Sequence, residues 1–351
     1  MKHIMVATDA WHPQINGVVR TLERLAAELV HFGIAVDFLT PDAFRTLPLP
    51  GYPEIRLALA SRRAVRKHLD DMRPDHVHIA TEGPIGIAMR AACRATARSF
   101  TTSYHTRFPE YVAARLPVPE AAIYALLRRF HNSGSATLVA TPSLAAELRG
   151  HGFTKLAPWT RGVDLDRFAP SRRIEIDLPR PIFIYVGRLA VEKSIDAFLK
   201  LDLPGSKLVV GDGPQREELE ARFPEAYFAG VAEGPALAGL YAAADVMVFP
   251  SRTDTFGLVV LEALASGTPV AAYPVTGPKD VLEGSGAGIV DEDLRAAALK
   301  ALTIDPARCV AHARTYSWRR SAEMFIDAVV AANPAIAPEA KVPAQALAVR
   351  I

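Results

Sequence analysis

Short, continuously apolar runs alternate along this chain with longer segments whose apolar residues recur every three or four positions. Residues 4–7 form the first run, 17–31 carry apolar positions at helical spacing, and 36–40 form a second run that ends before Pro41. Runs at 76–80, 100–103 and 136–140 follow, with helical-period segments between them. A strand that is apolar at nearly every position is buried on both faces, as in a parallel sheet covered by helices. The pattern predicts an α/β fold built on a doubly wound sheet.

From 164 to 181 the sequence turns polar and proline-rich (DLDRFAPSRRIEIDLPRP), and then the pattern restarts. Residues 182–186, 207–210, 227–229, 246–249 and 270–272 read as strands, most of them followed by a helical stretch, so a second Rossmann-like domain is expected. Length agrees, since 351 residues at about 150 per domain leave room for two cores. The expected domains are 1–165 and 166–332, with the last helix free to cross back to the first, followed by an Ala/Pro-rich flexible tail at 333–351. Parallel sheets bind ligands beyond the C-terminal ends of their strands, and a cleft between two such domains is a common substrate site. The chemistry is therefore to be sought just after the strands.

Composition narrows the classes. Half the residues are hydrophobic and 22% charged, and the 27 Pro and 22 Gly have no period, which excludes disordered, collagen-like and low-complexity chains. Cys93 and Cys309 are too far apart for a CxxC metal or redox motif and form no disulfide framework. No apolar run approaches the roughly 20 residues of a membrane-spanning helix. The four-residue run near the N-terminus is too short for a signal-peptide core, and a cytoplasmic location is expected. The net charge of +2 hides a split: residues 1–170 hold 21 Lys and Arg against 15 Asp and Glu, whereas residues 171–351 hold 19 against 23. A basic front half suits an anionic partner.

In the second half, the strand at 182–186 is followed by Gly187-Arg188-Leu189-Ala190-Val191-Glu192-Lys193. Two cations on a glycine-opened turn leading into a helix suit a diphosphate, although a turn with solvated cations would read the same way. Gly211-Asp212-Gly213 begins like a dinucleotide fingerprint, but Arg216 stands where the third glycine is needed, which argues against NAD and for a tight turn lining a nucleotide pocket. The richest segment is 249–270, FPSRTDTFGLVVLEALASGTPV. It places Asp254 on a polar loop, a helix start at Gly257, and Glu262 inside an otherwise apolar helix. A carboxylate there is costly to bury without partners, and ribose hydroxyls could supply them, unless the residue lies on an exposed face.

Residues 251–270 resemble the signature of the retaining GT-B glycosyltransferases of family 4, S-x-x-E-x-F-G-x-x-x-x-E-A-x-A-x-G-x-P-V, with Asp254 where most members have Glu. The resemblance implies two Rossmann-like domains facing across a cleft and transfer of a hexose from a nucleotide diphosphate sugar. It implies that Asp254 meets the donor sugar, that Glu262 meets the ribose, and that the amides near Phe256, Gly257 and Leu258 meet the diphosphate. Gly187, Arg188 and Lys193 match the diphosphate clamp, and residues 159–164 (WTRGVD) match an interdomain turn. Asp164-Leu165-Asp166 is a formal DxD, but it lies in the linker and Arg188 with Lys193 already supplies the charge, so no metal is expected.

In the first half, Asp9 and the Asn16-Gly17 pair follow the first strand, the pair standing where relatives commonly carry Gly-Gly near the donor phosphate and acceptor. His105 follows the strand at 100–103 and by the resemblance contacts the donor sugar. Thr81-Glu82-Gly83 resembles members acting on lipid acceptors, among them diacylglycerol glucosyltransferases, sulfoquinovosyl-diacylglycerol synthases and actinobacterial glycolipid mannosyltransferases. Asp9, Glu82 and Gly83 are the acceptor candidates, and either stretch could equally be a plain helix-capping turn. Arg62, Arg63, Arg66 and Lys67, interleaved with Val65 and Leu69, and Arg128 with Arg129 after Ile123, Tyr124, Leu126 and Leu127, suit docking on an anionic membrane. Nucleic acid is not expected, because no aromatic stacking platform accompanies these cations.

The expected activity is retaining transfer of a hexose from a UDP-sugar to a lipid such as diacylglycerol at the inner membrane face. Arg188, Lys193, Asp254 and His105 are its catalytic candidates. GDP-mannose as donor is the rival within the class. A sugar-nucleotide epimerase and a non-catalytic sugar-binding module are the alternatives outside it.

Overall fold

A computed structural model describes residues 1–14, 16–49, 52–113 and 118–337 of the chain. It forms two compact units. The first contains Met1–Thr160 and the chain from Trp318 onward, and the second is Arg161–Ser317. The division thus falls a few residues before the expected 165/166 boundary.

In the first unit the elements are β1 (Lys2–Ala7), α1 (Gly17–Val30), β2 (Ile34–Leu39), a hairpin of β3 (Thr46–Leu49) and β4 (Tyr52–Ala58), and α2 (Arg62–Met72). They continue with β5 (His76–Ile79), α3 (Pro84–Ala95), β6 (Phe100–Tyr104), α4 (Phe108–Ala113), α5 (Glu120–His131), β7 (Ala136–Val139), α6 (Pro142–Gly150) and β8 (Leu156–Pro158). Six strands form a parallel sheet in the order β2-β1-β5-β6-β7-β8. Alternation along β1 divides the core. Ile4 and Val6 pack with Leu22, Leu25 and Leu29 of α1 and with Trp159 and Phe325, while Met5 and Ala7 pack with Val65, Leu69, Ile85 and Met89. Phe325 belongs to the helix Trp318–Ala332, which covers the α1 side of the sheet. The tail expected from residue 333 is anchored at its start: Asn333 donates to the Asp75 carbonyl at 2.9 Å and Ile336 is fully buried in the same core. Residues 338–351 lie outside the described residues.

The second unit contains β9 (Ile182–Val186), α7 (Ile195–Leu199), β10 (Ser206–Val210), α8 (Arg216–Arg222), β11 (Tyr227–Gly230), α9 (Gly234–Ala243) and β12 (Val246–Phe249). It closes with α10 (Leu258–Ala265), β13 (Val270–Ala272), α11 (Pro278–Leu282), β14 (Gly288–Val290), α12 (Leu294–Ala301) and α13 (Pro306–Ala313). Its parallel sheet runs β11-β10-β9-β12-β13-β14. Each sheet reverses its strand order once, between β1 and β5 and between β9 and β12, and the loops that leave those strands diverge to opposite sides and open a crevice.

β5 departs from an apolar strand because His76 and His78 are both buried in it. His76 Nε2 and His78 Nδ1 each lie 2.9 Å from the Thr101 hydroxyl of β6, and His78 Nε2 lies 2.6 Å from Ser103. Thr101 has one proton to give, so at most one of the two imidazoles accepts from it. Burial, with the Arg98 charge second, lowers His76 from 6.5 to about 4. As pH falls through that window the unfolded chain takes up a proton that the folded His76 refuses, so stability present at neutral pH is lost on acidification. A gap of this size corresponds to about 3 kcal/mol. Urea unfolding at pH 7 and pH 4.5 is expected to show that loss, and His76→Gln to flatten it; an unchanged pH slope in the variant would overturn the account.

Candidate active site

In the second unit the two loops flanking the reversal point are locked together. Gly187 N donates to the Val210 carbonyl at 3.0 Å and Leu189 N to the Asp212 carbonyl at 2.8 Å, tying the loop after β9 to the loop after β10. A Cβ on Gly211 would lie 1.9 Å from the Gly187 carbonyl oxygen, and Gly211 has φ +139°, so only glycine fits this approach. This is the structural reason for the first glycine of the partial fingerprint. The Arg188 carbonyl accepts from the Tyr185 hydroxyl at 2.9 Å. Lys193 ends a single 3₁₀ turn, Val191–Lys193, and its ammonium donates to both Asp254 oxygens at 2.7 and 2.9 Å. Thr253 Oγ1 donates to the Glu192 carbonyl at 3.1 Å. The Arg252 guanidinium lies 3.6 Å above the Tyr273 ring and donates to Glu292 at 3.1 Å, fixing the other flank of the Asp254 loop.

Beyond Asp254 the backbone turns into α10 at Gly257, which has φ +84° and no side chain to cap the helix. Phe256 is buried, and a Cβ on Gly277 would lie 2.9 Å from its backbone nitrogen, so the loop after β13 closes on it as well. α10 reads LVVLEALA, hydrophobic almost all round, and is accordingly a core helix. Glu262 is only 8% exposed, so it does not lie on a solvent face; its Oε2 accepts from the buried Tyr241 hydroxyl at 3.1 Å. Tyr241 was not singled out from the sequence, because nothing local distinguishes it from the other apolar residues of α9.

In the first unit the loops after β1 and β5 also meet, with a different result. Asp9 accepts from the Thr81 hydroxyl at 2.8 Å, from Ile85 N at 2.8 Å and from Gly86 N at 3.2 Å. Gly83, the N-cap of α3, has no side chain to cap that helix, and a Cβ there would lie 2.5 Å from Asp9 Cγ. Asp9 therefore caps α3 from a distant loop, and burial, outweighing these bonds, holds its carboxyl above the ordinary 3.8. Glu82 Oε1 lies 2.9 Å from His131 Nε2. The Thr102 hydroxyl donates to Thr137 at 3.0 Å, so at 2.8 Å it accepts from His131 Nδ1–H. Asn16 caps α1, accepting from Val18 N and Val19 N at 3.0 Å, and Gly17 is the exposed first residue of that helix. His105 stands half-buried after β6 with its ring edge-on to Trp159 at 5.6 Å, and Arg107 beyond it is held by Glu110 at 2.7 Å and by Glu147.

Arg62, Arg63, Arg66 and Lys67 are exposed on α2, and a cavity of about 300 Å³ is lined by the three arginines with Ala92 and Ala95. Val65 and Leu69 do not share that face, because both are buried in the core, and Asp70 and Asp71 pair with Arg66 and Lys67 at 3.4 and 2.6 Å. The α2 face is thus polar, not amphipathic as expected. Arg128 and Arg129 are exposed on α5 beside Leu126, while Tyr124 and Leu127 point inward. Among the described residues no helix is long and apolar enough to cross a membrane.

Residues 15–167 match the family model described as Glycosyltransferase Family 4, and residues 180–304 the one described as Glycosyl transferases group 1. A GDP-mannose-dependent alpha-mannosyltransferase of Mycobacterium tuberculosis is 32% identical over 322 residues, covering 82% of this chain and 83% of that protein. Sulfoquinovosyl transferase SQD2 of Arabidopsis thaliana is 31% identical over 295 residues, covering 77% of this chain and 57% of SQD2. Among solved structures, a sucrose-phosphate synthase from Thermosynechococcus elongatus aligns with TM-score 0.71 at 20% identity over 96% of each chain. Anabaena HepE in complex with UDP and glucose aligns with TM-score 0.69 at 14% identity, over 93% of this chain and 98% of HepE. These two likenesses show the fold, which is GT-B.

Asp9→Ala removes the cap of α3 and leaves two amides without their acceptor, so urea unfolding is expected to show a loss of about 2 kcal/mol. Unchanged stability would overturn the capping account.

Proposed function

The chain belongs to glycosyltransferase family 4, and from that premise we propose that it moves a hexose, with retention, from a nucleotide diphosphate sugar to a lipid hydroxyl at the inner face of the cell membrane. The observation that carries this reading is the meeting of Lys193 and Asp254 at the strand-order reversal of the second sheet, with Arg188 on the same loop as Lys193 and the uncapped start of α10 following Asp254. Fixed cations and aligned backbone amides suit a diphosphate whose negative charge grows as the glycosidic bond breaks. Both oxygens of Asp254 are hydrogen-bonded to the Lys193 ammonium, and with donor bound the sugar hydroxyls would take that place, so in either case the carboxylate is a poor nucleophile. The reading is therefore front-face transfer, in which the leaving diphosphate takes the acceptor proton. Glu262, oriented by Tyr241, would meet the ribose, Asp254 and His105 the sugar. Because Arg188 and Lys193 supply the positive charge, no metal takes part.

The donor we favour is GDP-mannose, supported by the mycobacterial relative named for that donor, which matches over most of both chains. A second reading, a UDP-hexose with diacylglycerol as acceptor, is the one the sequence motifs favour, and the likeness to a sulfoquinovosyl transferase supports a transferred sugar other than mannose. The exposed cations of α2 and α5 would hold the protein on anionic lipid at about 1 kcal/mol each.

The purified protein is to be given GDP-mannose, UDP-glucose or UDP-glucuronic acid over anionic vesicles containing diacylglycerol or phosphatidylinositol, with products read by mass spectrometry. A mannosyl lipid is expected from GDP-mannose; a glucosyl or glucuronosyl lipid would favour the second reading, and no glycolipid from any donor would overturn both. Arg188→Ala and Lys193→Ala are each expected to lower turnover by roughly 10²-fold or more. Activity is expected to survive EDTA, and its loss with restoration by Mn²⁺ would refute the metal-free reading.

A further inference from the structure

Lys193 and Asp254 come from loops that follow different strands, yet each is about four-fifths buried and the ammonium bonds both carboxylate oxygens. The pairing does not depend on these two side chains alone. Thr253 holds the Asp254 loop to the Glu192 carbonyl, and Arg252 holds it to Tyr273 and Glu292. The backbone on which Asp254 sits is therefore fixed independently of its carboxylate, and that carboxylate can change partner while the loop stays in place. Paired in this way, it supplies Lys193 with the negative charge that a diphosphate would bring.

We propose that Asp254 is an exchangeable partner that makes the site prefer intact donor over the nucleotide left after transfer; this rests on the reading that the two loops bind the donor. When a nucleotide sugar enters, the sugar hydroxyls donate to Asp254, the carboxylate leaves Lys193, and the ammonium turns to the diphosphate. When the sugar has gone to the acceptor, those hydroxyls are gone as well. Asp254 then returns to Lys193 and competes with the diphosphate, which speeds release of the nucleotide. The same carboxylate serves the donor while the sugar is present and opposes the product once it is absent.

The test is calorimetric binding of GDP and UDP, without sugar, together with product inhibition by the same nucleotides. Asp254→Asn keeps the size of the side chain and removes its charge. It is expected to bind the preferred nucleotide roughly three- to tenfold more tightly than the wild type and to lower its inhibition constant by the same factor. In a Lys193→Gln background the same substitution is expected to change nothing, as a double-mutant cycle requires of a direct pair. Asp202→Asn removes an equal charge from an exposed position of the same unit, where the carboxylate faces Arg295 at 3.5 Å away from the site loops, and is expected to leave affinity within about twofold, the size of a surface-charge effect. Asp254→Ser serves as the second charge-removing variant if circular dichroism shows that asparagine disturbs the fold. Equal or weaker nucleotide binding in the charge-removing variant overturns the proposal, as does an equal gain in Asp202→Asn or in the Lys193→Gln background. A wild type that binds neither GDP nor UDP overturns the donor-site reading itself, and this proposal with it.

Discussion

The second sheet reverses its strand order between β9 and β12, and the rest of the candidate site depends on that reversal. Crossovers that turn to opposite faces leave the loops after these two strands facing each other over the strand ends. Residues some 60 positions apart then become neighbours, as the Lys193 and Asp254 pair and the Thr253 bond to Glu192 show. Tight backbone approaches keep them there. At Gly211 and Gly277 a side chain would strike the backbone of a neighbouring loop, so the four loops after β9, β10, β12 and β13 share one rigid floor. Charge placed on such a floor needs little reorganisation during reaction, the condition under which electrostatic stabilisation of a leaving group is most effective.

The first unit buries polar groups in the central strands of its sheet, where those of the second, β9 and β12, are apolar. His76 and His78 occupy core positions of β5 and are tolerated because Thr101 and Ser103 of the adjacent strand face them in register. Glu82 of the loop after β5, His131 of α5, Thr102 of β6 and Thr137 of β7 form a second chain. Buried chains of this kind are favourable only when every member finds a partner, so they fix one register of the strands more sharply than apolar packing would. Burial of His76 also makes the unit sensitive to acid.

Much of this was legible in the sequence. The central strands of both sheets were, because full burial leaves an uninterrupted apolar signature; so was the 249–270 segment, in which the glycine, the carboxylates and the helix lie within one stretch. The hairpin β3–β4 and the three-residue strands β8 and β14 were not, being too short or too proline-rich to show a period. The environment of Asp9 was hidden for another reason: its partners lie 72 to 77 positions away, and nothing local to either stretch announces the other. Val65 and Leu69 were misread as part of a docking face because spacing gives the angle between residues on a helix but not the direction of the core. The anchoring of residue 336 followed the same logic, since a single isoleucine in an Ala/Pro-rich stretch carries no periodicity.

The two reversal points use the same geometry to opposite ends. In the first unit the helix that opens there, α3, has its N2 and N3 amides occupied by the carboxylate of Asp9. The positive end of that helix is already satisfied by an anion from its own chain, and the glycine at its cap serves to let the carboxylate in. In the second unit α10 begins at Gly257, with no side chain capping it and an Arg and a Lys on the loop beside it. A helix start that has its own anion does not need another. One left uncapped beside cations suits an external anion better, which is why the proposed diphosphate site is the second crevice and not the first.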